Sequence, residues 1–279
     1  MLREDLDRID SVPMLPELVG KILTMIDDPN VSSHQLAAVV SKDLSLVASI
    51  LRIINSAYYG FRWRIASVNQ AVVLLGFRTI RNLVLAATVM NAYGGQSPSG
   101  AFDRTVHWRH SIACGAASSV LAKTWKVSQA EEAFLTGLIH DIGRVIMDQY
   151  FPAEFAEAVR MVNSEGMALT ATEDRVFGLT HADIGRHVAQ KWKFPGAIVS
   201  AIGDHHGPRP DTEWGELAAL VHVADAMTRT VGLAVGDWEA AIDEGALAAV
   251  GHDAAEIEEL QEAFLEEYKR SNIFEGLLT

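Results

Sequence analysis

The stretch Ser67–Tyr93, SVNQAVVLLGFRTIRNLVLAATVMNAY, decides the expected fold. It opens on a Ser-x-x-Gln pair, Ser67 and Gln70, whose side chains can cap backbone N–H groups at a helix start, and then turns apolar. Gly76 is a natural helix stop, because glycine takes up the left-handed C-terminal cap at little cost. A second helical run, RTIRNLVLAATVMNAY, follows it. Upstream, Asp43–Tyr59 (DLSLVASILRIINSAYY) places Leu46, Ile50, Ile53 and Ile54 on one face at helical spacing. The same capping pattern recurs at Ser32–Gln35, Ser128–Glu131 and Thr170–Glu173, each before an apolar-periodic segment. Strand alternation is nearly absent, so the chain is expected to be all-α. The run Gly94–Gly100, GGQSPSG, is the clearest break. It divides an N-terminal helical part (1–95) from a longer helical block (96–235), and an acidic helical appendage (236–279) follows.

The 279 residues carry a net charge of −13, with 49% hydrophobic and 21% charged residues. That is an ordinary globular balance, and it lacks the basic footprint of a general nucleic-acid binder. No apolar run approaches the roughly 20 residues of a membrane span. The start, MLREDLDRID, is polar and acidic, and Cys114 is the single cysteine. Both features fit a cytoplasmic protein, and the charge and the lack of a spanning run lead to no expected nucleic-acid or membrane partner. SIACGAASS around Cys114 reads as a packed small-residue helix face, unsuited to a nucleophile. Charge is nonetheless uneven. Residues 236–267 hold many acids and no Lys or Arg, whereas 62–126 hold Arg62, Arg64, Arg78, Arg81, Arg104, Arg109, Lys123 and Lys126 against Asp103. Either these are two solvated faces, or the basic one receives an acidic partner that the acidic segment covers or mimics.

Chemistry concentrates in His110, His140, Asp141, His181, His205, His206 and Asp225. This is a nitrogen-and-oxygen donor set with no thiol, suited to a divalent metal: iron or manganese, with zinc also compatible. His140 and Asp141 lie in LTGLIHDIGRVI (Leu135–Ile146), an apolar setting where buried polar heads need partners or a cation. Adjacent helical residues diverge by about 100°, so the pair cannot chelate one ion as i,i+4 ligands would. Asp141 has two oxygens, however, and could bridge two ions. His107 competes with His110 for the ligand role, His187 is a weaker alternative to His181, and His222 suits a supporting contact. Singly, each is more often a satisfied core or surface residue. The order His, His-Asp, His, His-His, Asp at helix-length intervals is what is specific.

That order resembles the HD superfamily of metal-dependent phosphohydrolases. Met14-Leu15-Pro16-Glu17, the segment Asn55–Leu85 and GLIHDIGR (Gly137–Arg144) sharpen the likeness to the HDOD domain, the HD-related output domain of bacterial signalling proteins. The resemblance spans about residues 10–230. It implies a small N-terminal helical bundle packed on an HD-like helical core, acting as a regulatory output module. The partner would be a signalling protein or a small phosphorylated ligand. A homodimer is compatible with the sequence, although no heptad run signals one.

Every metal position of the HD pattern is filled. In this the chain resembles the HD-GYP phosphodiesterases, with His181 standing where their additional histidine would be. Against that, HHGPRP replaces their Gly-Tyr-Pro signature, and Arg144 stands where lysine is common. The alternative function is a phosphohydrolase or phosphodiesterase with one or two ions, in which Arg144 would contact phosphate.

Overall fold

The computed structural model describes residues 15–277 except 57, 94, 95, 210 and 234–243. The described residues are helical with no strand, as the caps and periodicity predict. They form two compact units: those of 14–94 and 269–279 make one, and those of 95–268 the other.

In the first unit, α1 (Glu17–Ile26), α2 (Ser33–Val40) and α3 (Leu44–Ile54) each pack on α4 (Val68–Tyr93). The α2 start is a full capping box, with Ser32 and Gln35 each bonding the other's backbone N–H. At α4, Ser67 Oγ accepts from Gln70 N–H, while Gln70 Oε1 accepts from Ala66 N–H instead of the Ser67 amide. Gly76, at φ 79°, breaks α4 where the sequence places a helix stop. Leu46, Ile50, Ile53 and Ile54 are all buried, as their spacing predicts. A 3-10 segment, Ser271–Leu277, packs on α3.

One expectation needs correcting here. Val68–Val89 is long and apolar enough, by length and mean hydropathy, to cross a membrane. Arg78 and Arg81 lie within it and break up its apolar pattern. Half of it is buried within the protein.

The second unit contains α5 (Arg104–Trp125), α6 (Ala130–Ile139), α7 (Ile142–Tyr150), α8 (Pro152–Glu165), α9 (Leu169–Phe177), α10 (His181–Lys191), α11 (Gly196–Asp204) and α12 (Gly215–Thr230). The short α13 (Glu244–Ala249), α14 (Ala254–Glu259) and most of α15 (Gln261–Arg270) complete it. Of the described residues in the acidic C-terminal segment, those up to 268 cluster with this unit and 269–277 with the first. Asp237, Glu239 and Asp243, and the start of the GGQSPSG break, lie outside the described residues. Helix α5 packs between α6 and α12 through Ala113, Ala116, Ala117, Leu217 and Val221. Cys114 is buried in the same cluster, where the sequence places an inert thiol.

Two predicted caps are absent. Ser128 sits in the turn after Lys126, whose left-handed φ of 57° shifts the α6 start to Gln129, and no side chain caps it. Thr170 lies inside α9, whose N-cap is Ala168. The predicted basic surface is also partly consumed. Arg104 is buried, donating from Nε and Nη2 to Asp148 Oδ2 at 2.9 and 2.7 Å. Arg81 pairs with Asp27 and Lys123 with Glu267. Glu267 is thus one point at which the acidic segment meets the basic stretch.

Candidate metal centre

Helix ends place most of the candidate ligands. His140 caps the C-terminus of α6 and Asp141 the N-terminus of α7, so a bend lies at the pair and turns its side chains into the core. His181 is the first residue of α10, held there by a Thr180–Asp183 capping box that sequence reading did not pick out. His205 caps the end of α11, and His206 follows it. His110 and Asp225 come from the middle of α5 and α12.

Two glycines allow these helices to converge. A Cβ on Gly137 would lie 2.6 Å from the Cys114 carbonyl oxygen and would strike Ser118 Oγ, so only glycine lets α6 close on α5. A Cβ on Gly143 would strike the carbonyl oxygen of His181, so only glycine lets α7 close on the start of α10.

All seven predicted residues meet in one place. His110, His140 and Asp225 offer ligand atoms within 4.8 Å of one another, and so do Asp141, His181, His205 and His206. Asp141 lies between the groups. Its Oδ2 is 3.5 Å from His140 Nε2 and 3.8 Å from His110 Nε2. Its Oδ1 is 3.1 Å from His181 Nε2 and 3.6 Å from His205 Nε2. Asp225 Oδ1 lies 3.2 Å from His110 Nε2. Neither His107 nor His187 belongs to either group among the described residues. His107 instead packs on Phe102, with ring centroids 4.8 Å apart.

The hydrogen bonds behind the rings decide what faces inward. The Nδ1–H groups of His140, His181 and His205 donate to Gly137 O, Glu173 Oε2 and Ile202 O, each at 2.7 Å. His110 Nδ1 lies 3.3 Å from Thr228 Oγ1, whose own proton goes to Asp225 O at 2.6 Å. These acceptors hold the ring protons on Nδ1, leaving Nε2 of neutral His140 and His205 as lone pairs facing Asp141, while His181 Nε2 also lies 2.8 Å from His206 Nε2. His140 Nε2, His205 Nε2, Asp225 Oδ1 and both Asp141 oxygens are buried and take part in no hydrogen bond. Lone pairs facing carboxylate oxygens in a dry core are unfavourable unless a positive charge lies between them.

A proton is one such charge. Burial pushes His181 down, but Glu173 and Asp141 outweigh it and raise its pKa to about 9. Burial lowers His140 to about 4 despite Asp141, and also holds His206 well below the usual range. Asp141 remains ionised: burial opposes this, but Arg144, His140 and His181 keep its carboxyl well below its ordinary range. The other such charge is a metal cation, and the donor set fits one.

Sequence reading missed Glu173, assigning it to a cap at Thr170. It is fully buried, and its Oε2 accepts from both the backbone N–H and Nδ1–H of His181. Only its place in the fold marks it out, since Thr-x-x-Glu reads equally well as a cap. His222 donates from Nδ1 to His205 O at 2.8 Å, the supporting contact foreseen for it. Arg144, 1% exposed, holds Nη1 3.0 Å from Asp141 Oδ2.

Glu173→Gln keeps the shape and removes the charge that makes His181 basic. It is expected to weaken metal affinity about 10–100-fold, as measured by chelator competition.

The chain is 27% identical over 225 residues to an uncharacterised protein of Treponema pallidum, and spans only 43% of that relative's length. Its fold matches an HDOD domain protein from Geobacter sulfurreducens (TM-score 0.77, 23% identity, 98% of this chain and 96% of that one). It also matches a Shewanella amazonensis protein provisionally assigned as a phosphohydrolase (TM-score 0.78, 25% identity, 99% and 98% covered). The HDOD domain model matches residues 12–208, which include every residue of the cluster except Asp225. The chain therefore belongs to the HDOD domain family.

Proposed function

We propose that this protein is a signal-transduction output module whose His/Asp centre holds two divalent ions, iron or manganese, bridged by Asp141. The observation carrying the metal assignment is the bridging geometry: each Asp141 oxygen faces its own set of imidazole Nε2 atoms in the buried core, with Arg144 beside Oδ2. His110, His140 and Asp225 would hold one ion, and His181, His205 and His206 the other. Nitrogen and oxygen donors without thiolate favour iron or manganese over a structural zinc. Enclosure favours regulation over turnover. His110, His140, Asp141, His181 and His205 are 0% exposed, and Asp225 only 6%, which leaves little room for a substrate. A signalling partner would then read the state of the centre through the helices it ties together.

A second reading has its own support. Arg144 already stands beside Asp141, and the Shewanella amazonensis neighbour is provisionally a phosphohydrolase. When bound, the ions would supply the positive charge that acidifies water and polarises a phosphoryl oxygen. Arg144 would turn from Asp141 to bind phosphate oxygens in a fork. Glu173 would keep the His181 ring oriented.

Turnover by the metal-loaded protein separates the two readings. The regulatory reading expects no hydrolysis above the free-metal background of p-nitrophenyl phosphate, bis(p-nitrophenyl) phosphate or cyclic nucleotides. Hydrolysis that Asp141→Asn abolishes would overturn it in favour of the enzyme.

Metal uptake should also depend on pH. A cation at His181 must displace its proton, so affinity is expected to rise about ten-fold per pH unit up to about 9. Competition titrations between about pH 6 and 8 test this; a flat profile would remove His181 from the ligands.

A further inference from the structure

The N-terminal unit contains a second candidate binding site, remote in sequence from the His/Asp cluster. A groove of ≈ 950 Å³ opens between the end of α3 and the loop leading into α4, lined by Arg52, Arg62 and Arg64 together with Phe61 and Trp63. That volume is in the range of small-molecule sites. No acidic side chain lines it among the described residues, and neither Arg62 nor Arg64 has an acidic partner among them. Trp63 is 56% exposed and lies against Phe61 with ring centroids 5.9 Å apart. The half-exposed indole beside Arg62 and Arg64, which no described acidic side chain neutralises, offers an open aromatic face and positive charge to a ligand.

The loop is braced to present these groups. Asn55 Nδ2 donates to Leu51 O and to Ile65 O, each at 2.8 Å, and Ile65 N–H donates to Asn55 Oδ1 at 2.7 Å. One amide therefore staples the α3 end to the far end of the loop, holding the intervening residues between fixed points.

We infer that this groove binds a nucleotide, with phosphate oxygens on Arg62 and Arg64 and the base stacked on Trp63. Guanidinium forks match phosphate oxygens two at a time. An exposed indole with arginine nearby is a platform for a planar base. An acidic peptide would use the arginines but would leave the indole uncovered, and an apolar ligand would leave the charge unmet. The inference is independent of the metal centre and does not require it to be loaded.

The test is calorimetric titration of the intact chain with ATP, GTP, inorganic tripolyphosphate and a hexaglutamate peptide. One nucleotide should saturate the protein, with tripolyphosphate at least about ten-fold weaker, because base stacking alone contributes roughly 5–150-fold. Trp63→Ala should lower nucleotide affinity about ten-fold, and the double variant R62A/R64A at least about thirty-fold. All three substituted side chains are exposed, so the metal content and melting temperature of these variants should stay those of the parent. The inference is overturned if neither nucleotide binds below about 1 mM. It is equally overturned if binding survives unchanged in R62A/R64A, which would place it elsewhere. Tripolyphosphate binding as tightly as the nucleotide would leave a phosphate site without base recognition, and tighter hexaglutamate binding would assign the groove to an acidic protein; either contradicts it.

Discussion

Asp141→Asn is expected to leave the protein without bound metal and to lower its stability by about 3–5 kcal/mol. Asparagine matches aspartate in shape, so packing cannot account for either effect. The carboxylate is fully buried and faces imidazole Nε2 atoms from both of its oxygens. It also holds the guanidinium of Arg144, 3.0 Å away and 1% exposed. Removing the negative charge would take the proposed bridging ligand from both ions and would leave a buried cation without its counter-charge. Urea unfolding with and without chelator, together with elemental analysis, measures both losses. The double variant Asp141→Asn/Arg144→Met separates them. Without the buried cation, stability should return to within about 1–2 kcal/mol of the parent in chelator, while metal stays absent. If metal binding survives in Asp141→Asn, the residue does not bridge.

Gly143→Ala is the second large effect. The added methyl would collide with the His181 carbonyl oxygen, and it would lie 2.7 Å from the His181 carbonyl carbon and 3.0 Å from Gly185 N. Backbone atoms cannot rotate away as a side chain can, so α7 and α10 must part. The cost expected is at least about 2–3 kcal/mol. The separation also draws Asp141, just before α7, away from His181 at the start of α10, so affinity for the ion between them should fall too. Gly20→Ala in α1 is the internal control. Nothing lies within 4 Å of its Cβ position, and its φ is ordinary. There the gain in helix propensity should stabilise the protein by up to about 1 kcal/mol. Comparing melting curves of the two variants tests whether the close approach at Gly143, or glycine loss in general, matters.

Much of this was legible in the sequence because it depends on local pattern. The face of Leu46, Ile50, Ile53 and Ile54 and the break at Gly76 follow from helical period and backbone freedom, which neighbouring residues set. The seven candidate ligands could be picked out because their types and order form one pattern, and the structure brings them together, although no single member was persuasive alone. What was not legible depends on packing at a distance. Glu173 and Thr170 fit a cap, and only the burial of Glu173 against His181 shows where that carboxylate is used. Arg104 reads as a surface cation until Asp148, far along the chain, is seen to neutralise it in the core. The small residues at 137 and 143 gave no sign of being essential, because the backbones they admit belong to other helices. The two-unit division hides for the same reason: the C-terminal residues rejoin the N-terminal unit, and the acidic run around them reads as one solvated tail.

Whether Asp141 joins two ions in one centre is decided by elemental analysis of the untagged protein, purified without chelator and quantified per chain. The predicted result is about two equivalents of iron or manganese, falling to none in Asp141→Asn. Less than about a tenth of an equivalent, unchanged after adding either metal, would contradict the account and leave the buried imidazole lone pairs to be satisfied by protons alone.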